Sequence, residues 1–404
     1  MTSFINKVEV ILNELRMGKM VILVDHPERE DEGDLIFPAE IISTDVMNFM
    51  IRHCSGIVCL ALTSDYVKKL GLRPMIRPEE NKSQRGTPFT VSIEAADGIT
   101  TGVSAADRVK TILTAVSEKF TPNDIVSPGH VFPLHARDGG VLEREGHTEG
   151  SIDLVNLAGY KPAAVICELM NADGTMMKGQ QLNQFATAND IKIISIEDVI
   201  HYRLMNENLI EEETHAEIPL EQYGKFKLTV VKEKFSNAEH IVLTKDIVNK
   251  TIPLLTRVHS SCVTGDLFGS QRCDCKAQLH YSLQRISEDG GILIYLSQEG
   301  RGIGLFDKIK SYALQENGLD TIEANQKLNL PVDSRKYHIA ANILRNNGIN
   351  EIRLLTNNPH KLDEIKKYGV KLTHEHIPIF NNKYNKKYLL TKKHKLNHFI
   401  HDIA

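Results

Sequence analysis

The sequence predicts two α/β (α+β) domains in series, each built as a mixed sheet packed with helices. Three observations indicate this fold class. The length of 404 residues suits about two hydrophobic cores. In both halves, apolar segments of strand length alternate with helix-like stretches and polar turns. An acidic stretch at residues 207–219 interrupts the apolar pattern near the middle of the chain.

The first domain is expected to span residues 1–204. Its apolar segments at residues 20–24, 57–62, 89–93 and 163–170 are predicted to be buried. Ser104 and Asp107 have the spacing of a capping box before a helix-like stretch at residues 108–119. A capped helix start is the simpler interpretation, and a phosphate site at the helix N-terminus is the alternative.

The second domain is expected to span residues 205–404, with the acidic stretch at residues 207–219 interpreted as a domain junction and the boundary placed near residue 205. Residues 225–232 and 292–296 are predicted to be strands, and residues 337–346 and 360–368 are predicted to be helices. The tail at residues 381–395 is rich in lysine and asparagine, so we expect it to be solvated or loosely ordered.

Composition limits the class of protein. A hydrophobic content of 41% indicates a globular chain, and a net charge of −4 argues against a general nucleic-acid or acidic-membrane binder. Charged residues interrupt the first 24 positions, and no long apolar run appears elsewhere, so neither a signal peptide nor a transmembrane helix is expected. The six cysteines are better explained as thiols or metal ligands than as disulfides, which favours a cytoplasmic protein.

Three features of the first half offer groups that could bind a metal ion or a phosphate, or transfer a proton. Residues 29–34 crowd four carboxylates beside Arg29, a pattern that suits Mg²⁺, although a solvated acidic turn is the simpler interpretation. Arg144 and His147 place a cation near a potential metal ligand, although an exposed loop histidine is commoner. Glu168 lies within an apolar segment, where a desolvated carboxylate suits proton transfer next to a carbonyl. The alternative is a strand-end glutamate that reaches solvent or an arginine.

Residues 29–38, 52–62, 89–107, 128–134, 139–149 and 162–175 closely resemble 3,4-dihydroxy-2-butanone 4-phosphate synthase, over nearly all of the first 200 positions. That family converts ribulose 5-phosphate into the butanone phosphate and formate with a divalent metal, usually Mg²⁺, with Mn²⁺ as the alternative. The departures are minor, with His135 at a usually basic position and Gly150 at a usual alanine. The resemblance implies metal ligation by Glu30 and His147, sugar binding by Arg29 and Asp34, phosphate binding by Arg144, Glu145, Gly146, His147 and Thr148, and proton transfer by His130 and Glu168.

Two features of the second half indicate a metal and a nucleotide. Cys262, Cys273 and Cys275 lie within fourteen residues, and three thiolates with an open fourth position are typical of a catalytic zinc site. Ordinary buried thiols are the alternative. Residues 298–305 form a glycine-rich loop with Arg301 after a predicted strand, which suits an oxyanion, and a plain turn is the alternative.

These features, with residues 257–260, 320–325, 331–335 and 355–361, resemble GTP cyclohydrolase II over about residues 224–371. That family opens the guanine imidazole ring of GTP, releases its C8 as formate and splits off pyrophosphate, with Zn²⁺ in the protein and Mg²⁺ accompanying GTP. The resemblance implies zinc ligation by Cys262, Cys273 and Cys275. It implies GTP binding by Arg257, Val258, His259, Ser260, Ser261, Gln278, Glu299, Gly300, Arg301, Thr321, Thr356 and Lys361.

The resemblance also implies that Asp333 accepts a proton and that Arg335 attacks the α-phosphate. An arginine that stays protonated is a poor nucleophile, so we favour stabilisation of transition-state charge by Arg335. Tyr312 matches a family tyrosine that positions water, and a half-buried helix aromatic is the alternative. Ser261, Ser297 and Ser334 depart from the residues usual at their positions, which implies an altered affinity for GTP.

The leading hypothesis is one bifunctional enzyme of riboflavin biosynthesis that acts on ribulose 5-phosphate and GTP. The alternative is a chain in which only the synthase half is active and the second half is a weakened or structural partner. A zinc module that binds nucleic acid or protein is a third hypothesis, which the acidic balance disfavours. Both resembled families form homodimers, and the resemblance implies that His130 acts across the subunit interface. No nucleic-acid or membrane partner is expected.

Overall fold

The computed structural model describes residues 3–83, 85–236, 238–246 and 253–400. The chain divides into two compact units, residues 1–203 and 204–404. Within the described residues, no helix has both the length and the apolar character needed to cross a bilayer.

Unit one contains a mixed sheet of seven strands among its described residues, in the order β4-β5-β3-β6-β2-β1-β7. The pairs β1–β7 and β3–β5 are parallel, and the other neighbouring pairs are antiparallel. The elements are α1 (Ser3–Arg16), β1 (Val21–Val24), β2 (Gly33–Pro38), α2 (Thr44–His53), β3 (Cys59–Leu62), α3 (Ser64–Lys69), β4 (Ile93–Ala95), α4 (Ala105–Ala115), β5 (Ile125–His135), α5 (His147–Leu157), β6 (Ala163–Glu168), α6 (Gln180–Ala188), β7 (Lys192–Ser195) and α7 (Ile196–Asn206).

Side chains along the central strands of this sheet point alternately to its two faces, and each face contributes to a separate hydrophobic core. Leu35 and Phe37 pack into one apolar cluster with side chains of α2, α4 and α6, whereas Ile36 packs into a second cluster with side chains of α1, α5 and α7. Successive strand residues point to opposite faces of a sheet, so a fully apolar strand must be covered on both. The sheet is therefore buried between two layers of helices, and its polar side chains emerge at the strand ends.

Unit two contains a second mixed sheet of seven strands among its described residues, in the order β14-β13-β11-β12-β10-β9-β8. Strands β11 to β14 pair in parallel, whereas β8, β9, β10 and β12 are joined by antiparallel pairs. The elements are β8 (Ile210–Leu220), β9 (Gly224–Glu233), β10 (Glu239–Lys245), β11 (Leu254–Ser260), α8 (Cys275–Asp289), β12 (Gly291–Leu296), α9 (Gly304–Glu316), α10 (Thr321–Lys327), α11 (His338–Asn346), β13 (Glu351–Leu355), α12 (Pro359–Lys367), β14 (Lys371–Glu375) and α13 (Lys386–Lys395).

The predicted fold class is confirmed, and so are most of the predicted elements. The strands expected at residues 225–232 and 292–296 are β9 and β12, and the expected helices are α11 and α12. Ser104 caps α4 by accepting a hydrogen bond from the backbone N–H of Asp107. Residues 89–93 are mostly outside a regular strand, because β4 begins only at Ile93.

Two segments are more regular than their composition suggests. Most of residues 207–219, where the domain junction was expected, belong to β8, which pairs along its length with β9. An exposed edge strand needs no apolar alternation, and the glutamates of β8 face solvent. The tail at residues 381–395 is not loosely ordered, because it contains α13, in which Leu389 is fully buried and Lys392 is 9% exposed.

Candidate active sites

The acidic loop between β1 and β2 is organised by Asp25, which follows β1. Its carboxylate accepts hydrogen bonds from the backbone N–H groups of Glu30 at 3.1 Å and Glu32 at 2.9 Å, and from Nη1 of Arg29 at 2.7 Å. Burial acts to raise the pKa of Asp25, but the N–H group of Glu32 and the guanidinium of Arg29 hold it below its ordinary value. The sequence analysis missed Asp25, although a carboxylate directly after a buried strand was a usable signal.

Asp25, Glu30 and His147 can each offer a ligand atom to one centre. These atoms lie within 4.8 Å of one another. Nε2 of His147 is buried with no hydrogen-bond partner among the described residues, and burial lowers the pKa of this histidine, which favours the neutral imidazole that metals bind. The structure thus brings together the predicted ligands Glu30 and His147, and their donor set fits a divalent cation.

Glu168 and Asp34 face each other across neighbouring strands. They are register partners on β6 and β2. Glu168 is half-buried at the strand end, where its Oε2 accepts a hydrogen bond from the backbone N–H of Ile57 at 2.9 Å. Burial, followed by the nearby carboxylate of Glu168, raises the pKa of Asp34 well above its ordinary range. The pair therefore combines a buried carboxyl group that tends to keep its proton with a second carboxyl group that is only half-buried at the strand end.

The predicted phosphate-binding segment, residues 144–148, lies at the N-terminus of α5. Gly146 is the N-cap and provides no side-chain cap, so the first N–H groups of the helix suit an anion. Nη1 of Arg144 donates to Glu149 at 2.6 Å, and Glu149 is fully buried. Thr148 is also buried, whereas Glu145 is exposed. Glu149, which the sequence analysis did not single out, fixes the orientation of Arg144.

His130 lies apart from this group, on β5, which β3 separates from the strand of Glu168. Its Nδ1 is 2.8 Å from Oε2 of Glu94 on β4. Glu94 is 7% exposed, whereas the side chain of His130 is 45% exposed. A carboxylate at Nδ1 fixes the imidazole tautomer and leaves Nε2 available on the exposed side. The sequence analysis did not identify Glu94, because the contact joins two strands far apart in sequence.

We expect Glu94→Gln to lower the rate of formate release from ribulose 5-phosphate about tenfold or more, because a neutral amide no longer stabilises a protonated His130. The matched control is Asp97→Asn, an exposed carboxylate that follows the same strand. Equal rates for Glu94→Gln and the wild-type protein would show that the carboxylate does not assist His130.

The three predicted zinc ligands converge. Cys262 follows β11, Cys275 is the first residue of α8, and Cys273 lies just before it. Their sulfur atoms lie within 4.8 Å of one another, with 3.7 Å between Cys262 and Cys273. Hydrogen bonds from Cys273 and Cys275, and then the ammonium group of Lys308, lower the pKa of Cys262. Three clustered sulfurs with one thiolate already favoured fit a zinc ion.

Lys308 of α9 is a buried cation that the sequence analysis missed. Its Nζ lies 3.2 Å from Sγ of Cys262, 2.9 Å from Oγ1 of Thr264 and 2.7 Å from Oε1 of Glu299. The other oxygen of Glu299 accepts a hydrogen bond from the backbone N–H of Val263 at 2.5 Å. Lys308 and Glu299 therefore connect the thiol cluster to the glycine-rich loop. The sequence offered no signal for Lys308, because Lys310 in the same helix is exposed.

Gly265 sits where a side chain would displace these thiols. A Cβ there would lie 2.8 Å from Sγ of Cys273 and 3.0 Å from Sγ of Cys262. We therefore expect Gly265→Ala to lower zinc affinity and GTP turnover about tenfold or more, which zinc titration and formate release would measure. Lys366→Ala is the control, because Lys366 is an exposed residue of α12 in the same unit. Unchanged zinc binding in Gly265→Ala would contradict the crowding argument.

A cavity of about 380 Å³ lies beside the thiols, and its wall combines residues from β11, α8, α9, α10, α12 and α13 with the loops between them. Two predicted residues do not line it: Val258 is a core residue whose carbonyl accepts from Lys361, and Asp333 lies behind Arg335. Tyr312 does line the cavity. The predicted residues in the wall are Arg257, His259, Ser260, Ser261, Cys262, Cys273, Cys275, Gln278, Glu299, Gly300, Arg301, Thr321, Arg335, Thr356 and Lys361.

The cavity is rich in buried cations. Burial lowers the pKa of Arg257 to about 10, and burial with the neighbouring Arg257 and Arg335 lowers the pKa of Lys361 well below its ordinary value. Nη1 of Arg301 and Nε of Arg257 are buried with no hydrogen-bond partner in the part of the chain that the structure describes. Unpaired buried donors of one sign are costly without a ligand, so this cavity suits an anion with several acceptor oxygens.

Arg335 and Asp333 form a close pair, with 2.8 Å between Nε and Oδ1. Burial acts to lower the pKa of Arg335, but the neighbouring Tyr337 and Asp333 raise it above its ordinary value. Burial likewise acts to raise the pKa of Asp333, and Arg335 holds it below the ordinary value. The pair is thus charged at neutral pH, which agrees with charge stabilisation by Arg335.

Of the three unusual serines, only Ser261 lines the cavity. The hydroxyl of Ser297 donates to the backbone carbonyl of Glu239, and the backbone N–H of Ser334 donates to the carbonyl of Arg301 at 2.9 Å. Ser297 and Ser334 therefore support the loops around the cavity, so an effect on affinity would act most directly through Ser261.

Two family profiles match the chain in tandem. The profile of 3,4-dihydroxy-2-butanone 4-phosphate synthase matches residues 9–202, and that of GTP cyclohydrolase II matches residues 211–378. Each match covers one sheet and one of the two ligand clusters described above. The chain is thus a two-domain enzyme with a lyase domain followed by a hydrolase domain.

Similar proteins match this chain over nearly its whole length. The riboflavin biosynthesis protein RibBA of Aquifex aeolicus is 48% identical over 97% of this chain and 97% of its own, and RibBA of Bacillus mycoides is 45% identical over 98% and 99%. The crystal structure of RibBX, described as a two-domain 3,4-dihydroxy-2-butanone 4-phosphate synthase from A. baumannii, is 33% identical, covers 93% of this chain and all of that one, and has a TM-score of 0.68. The chain belongs to the family of bifunctional riboflavin biosynthesis proteins.

Proposed function

We propose that the two reactions of this bifunctional enzyme take place at the two clusters described above, the first within residues 1–204 and the second within residues 205–404. The observation that carries the assignment is the difference in donor chemistry. One unit offers two carboxylates and an imidazole, and the other offers three thiols. Hard oxygen donors favour Mg²⁺ or Mn²⁺, and thiolates favour Zn²⁺.

In the first site, ribulose 5-phosphate becomes 3,4-dihydroxy-2-butanone 4-phosphate and formate. Glu30 and His147, with Asp25 beside them, would hold a divalent cation whose chemistry is to polarise the sugar oxygens. Arg29 and Asp34 would bind the sugar, and the N-terminus of α5 would bind the phosphate. The residues that would contact the phosphate are Arg144, Glu145, Gly146, His147 and Thr148.

Proton transfer in this site is assigned to Glu168 and His130. Glu168 accepts a hydrogen bond from Ile57, which aims one carboxylate oxygen and leaves the other for substrate. His130 would act from the partner subunit of a homodimer, because its exposed ring lies on a different strand from Glu168 and is held by Glu94. Enediolate formation needs a base next to the ketone, and these two residues supply one base and one acid.

In the second site, GTP becomes 2,5-diamino-6-(5-phospho-ribosylamino)pyrimidin-4(3H)-one, formate and pyrophosphate. Cys262, Cys273 and Cys275 would hold Zn²⁺, whose chemistry is to activate water for attack at C8. The cationic cavity would bind the triphosphate with its accompanying Mg²⁺, and Arg335 would stabilise charge at the α-phosphate while Asp333 accepts a proton. The volume of the cavity and the arginine and lysine side chains in its wall support this assignment.

We also propose a homodimer and a cytoplasmic location. Unit two exposes Leu267, Phe268 and Phe306, which are 70%, 76% and 75% exposed, and large exposed apolar side chains are typical of subunit contacts. The free thiols suit a reducing compartment. Light scattering of the purified protein should give twice the mass of one chain, and a monomeric mass would contradict the dimer.

The decisive experiment incubates purified protein separately with ribulose 5-phosphate plus Mg²⁺ and with GTP plus Zn²⁺ and Mg²⁺. We expect formate from both. Formate from ribulose 5-phosphate alone would support the alternative, in which only the synthase half is active. Neither the fold nor the relatives support that alternative. Formate from neither substrate would overturn the assignment of both sites.

A further inference from the structure

The C-terminal segment, defined here as residues 386–400, forms part of the wall of the GTP cavity although the family profile ends at residue 378. It consists of α13 and the five residues that follow. Its side chains at the cavity belong to Lys387, Tyr388, Thr391, Lys392 and His398. A surface tail that only followed the domain would not place so many polar groups at a substrate cavity.

Backbone and side-chain contacts hold the C-terminal segment in this position. The N–H of Phe399 donates to the carbonyl of Asn357 at 2.9 Å, and Leu389 and Ile400 are buried. The ring of Tyr388 lies 5.7 Å from the guanidinium of Arg301 and 4.4 Å from the ammonium of Lys392. The segment is therefore packed against residues assigned to GTP binding.

Lys392 extends the contact to the metal ligands. Its Nζ lies 2.9 Å from Oδ1 of Asp274, and the two residues are 9% and 4% exposed. Asp274 stands between Cys273 and Cys275 in the chain and is the N-cap residue of α8. An ion pair this deeply buried costs desolvation on both partners, so loss of either charge leaves the other uncompensated.

Asp274 is also hydrogen-bonded, through Gln278, to a residue assigned to GTP binding. Its Oδ2 accepts a hydrogen bond from Nε2 of Gln278 at 2.6 Å, and Oε1 of Gln278 accepts from Nη2 of Arg257 at 2.8 Å. Nη1 of Arg257 is also fixed, by the carbonyl of Leu355 at 3.0 Å. A continuous chain of buried polar contacts thus runs from Lys392 through Asp274 and Gln278 to Arg257.

We propose that Lys392 is a positioning residue for the GTP site, which holds the Cys273–Cys275 turn in ligating geometry through Asp274 and orients Arg257 through Gln278. The proposal rests on the function assigned above to this cavity. The C-terminal segment then contributes to the second site, because the ammonium group that compensates the charge of Asp274 comes from α13. Partners behind the ligands of a metal commonly change its affinity by about 10- to 100-fold.

The test uses the full-length protein and compares Lys392→Met with Lys392→Arg and with Lys386→Met. Lys386 is an exposed lysine at the start of the same helix, which makes it the matched control. The readouts are the rate of zinc release to a chromogenic chelator, kcat and KM for GTP, and formate from ribulose 5-phosphate. We expect Lys392→Met to release zinc about tenfold faster or more and to lose about tenfold in kcat/KM for GTP. Lys392→Arg should recover most of both, and the reaction with ribulose 5-phosphate should be unchanged.

A double-mutant cycle separates positioning from general damage to the fold. If Lys392 acts through Asp274, then adding Lys392→Met to Asp274→Asn should change zinc release little, because neutral asparagine no longer needs the ammonium. Additive effects of the two substitutions on zinc release would overturn the proposal. So would a Lys392→Met variant whose zinc release and kcat/KM for GTP equal those of the wild-type protein. A wild-type protein that holds zinc but does not turn over GTP would overturn the assigned function, while zinc release would still report on Lys392.

Discussion

Replacing Cys262 by serine is expected to abolish formate release from GTP, with a loss of about a thousandfold or more, and to remove the bound zinc. The physical reason is that a serine hydroxyl stays protonated at neutral pH, whereas the Cys262 thiol is held as a thiolate by Cys273, Cys275 and Lys308. Zinc content by atomic absorption and formate production from GTP would measure both effects.

The control for this prediction is built into the same chain. The reaction with ribulose 5-phosphate depends on the carboxylates and imidazole of unit one, so Cys262→Ser should leave its rate unchanged. If Cys262→Ser keeps both zinc and GTP turnover, the three thiols are not the metal site. If both reactions are lost, the substitution has damaged folding rather than the metal site.

Glu168→Gln is expected to lower formate release from ribulose 5-phosphate by about 10²- to 10⁴-fold, the usual contribution of a positioned acid or base. Glutamine preserves the size of the side chain, and its amide oxygen can still accept the hydrogen bond from Ile57 that Oε2 of Glu168 accepts at 2.9 Å. The substitution therefore removes the basic carboxylate while keeping the local geometry.

The matched control is Glu79→Gln, which makes the same change at an exposed position of unit one. Thermal unfolding of both variants would show that stability is preserved, and formate release from GTP should be normal in both. A rate for Glu168→Gln within a few-fold of that of the wild-type protein would exclude Glu168 as the proton-transfer residue.

Short-range patterns predicted the second site better than the first. The three cysteines are close in sequence, and their spacing alone indicated that their sulfurs converge, which the structure confirms. In the first site, Glu30 and His147 are far apart in sequence, so only the family resemblance linked them. Asp25 stands outside the crowded carboxylates of residues 29–34 and folds the loop by accepting N–H groups, so its place directly after a buried strand was its one sequence signal.

The regular structure of two polar segments has a common cause. The tail was expected to be solvated because lysine and asparagine dominate it, yet Lys392 is buried because Asp274 supplies a counter-charge from another part of unit two. Residues 207–219 also lack apolar alternation, yet β8 forms there because β9 offers a hydrogen-bonding edge. In both segments a distant partner overrides the local composition.

By itself, the sequence determined the fold class, the tandem order of the two enzymes and the thiol cluster, because apolar periodicity, family motifs and short spacings are local properties. Only the tertiary structure decided which groups hold the functional side chains: Glu94 at His130, Glu149 at Arg144, Lys308 at Cys262 and Lys392 at Asp274. Each of these contacts pairs a buried charge or a hydrogen-bonding group with one from another element. Burial of a polar group is costly unless a partner pairs with it, and which partner lies nearby depends on the tertiary fold.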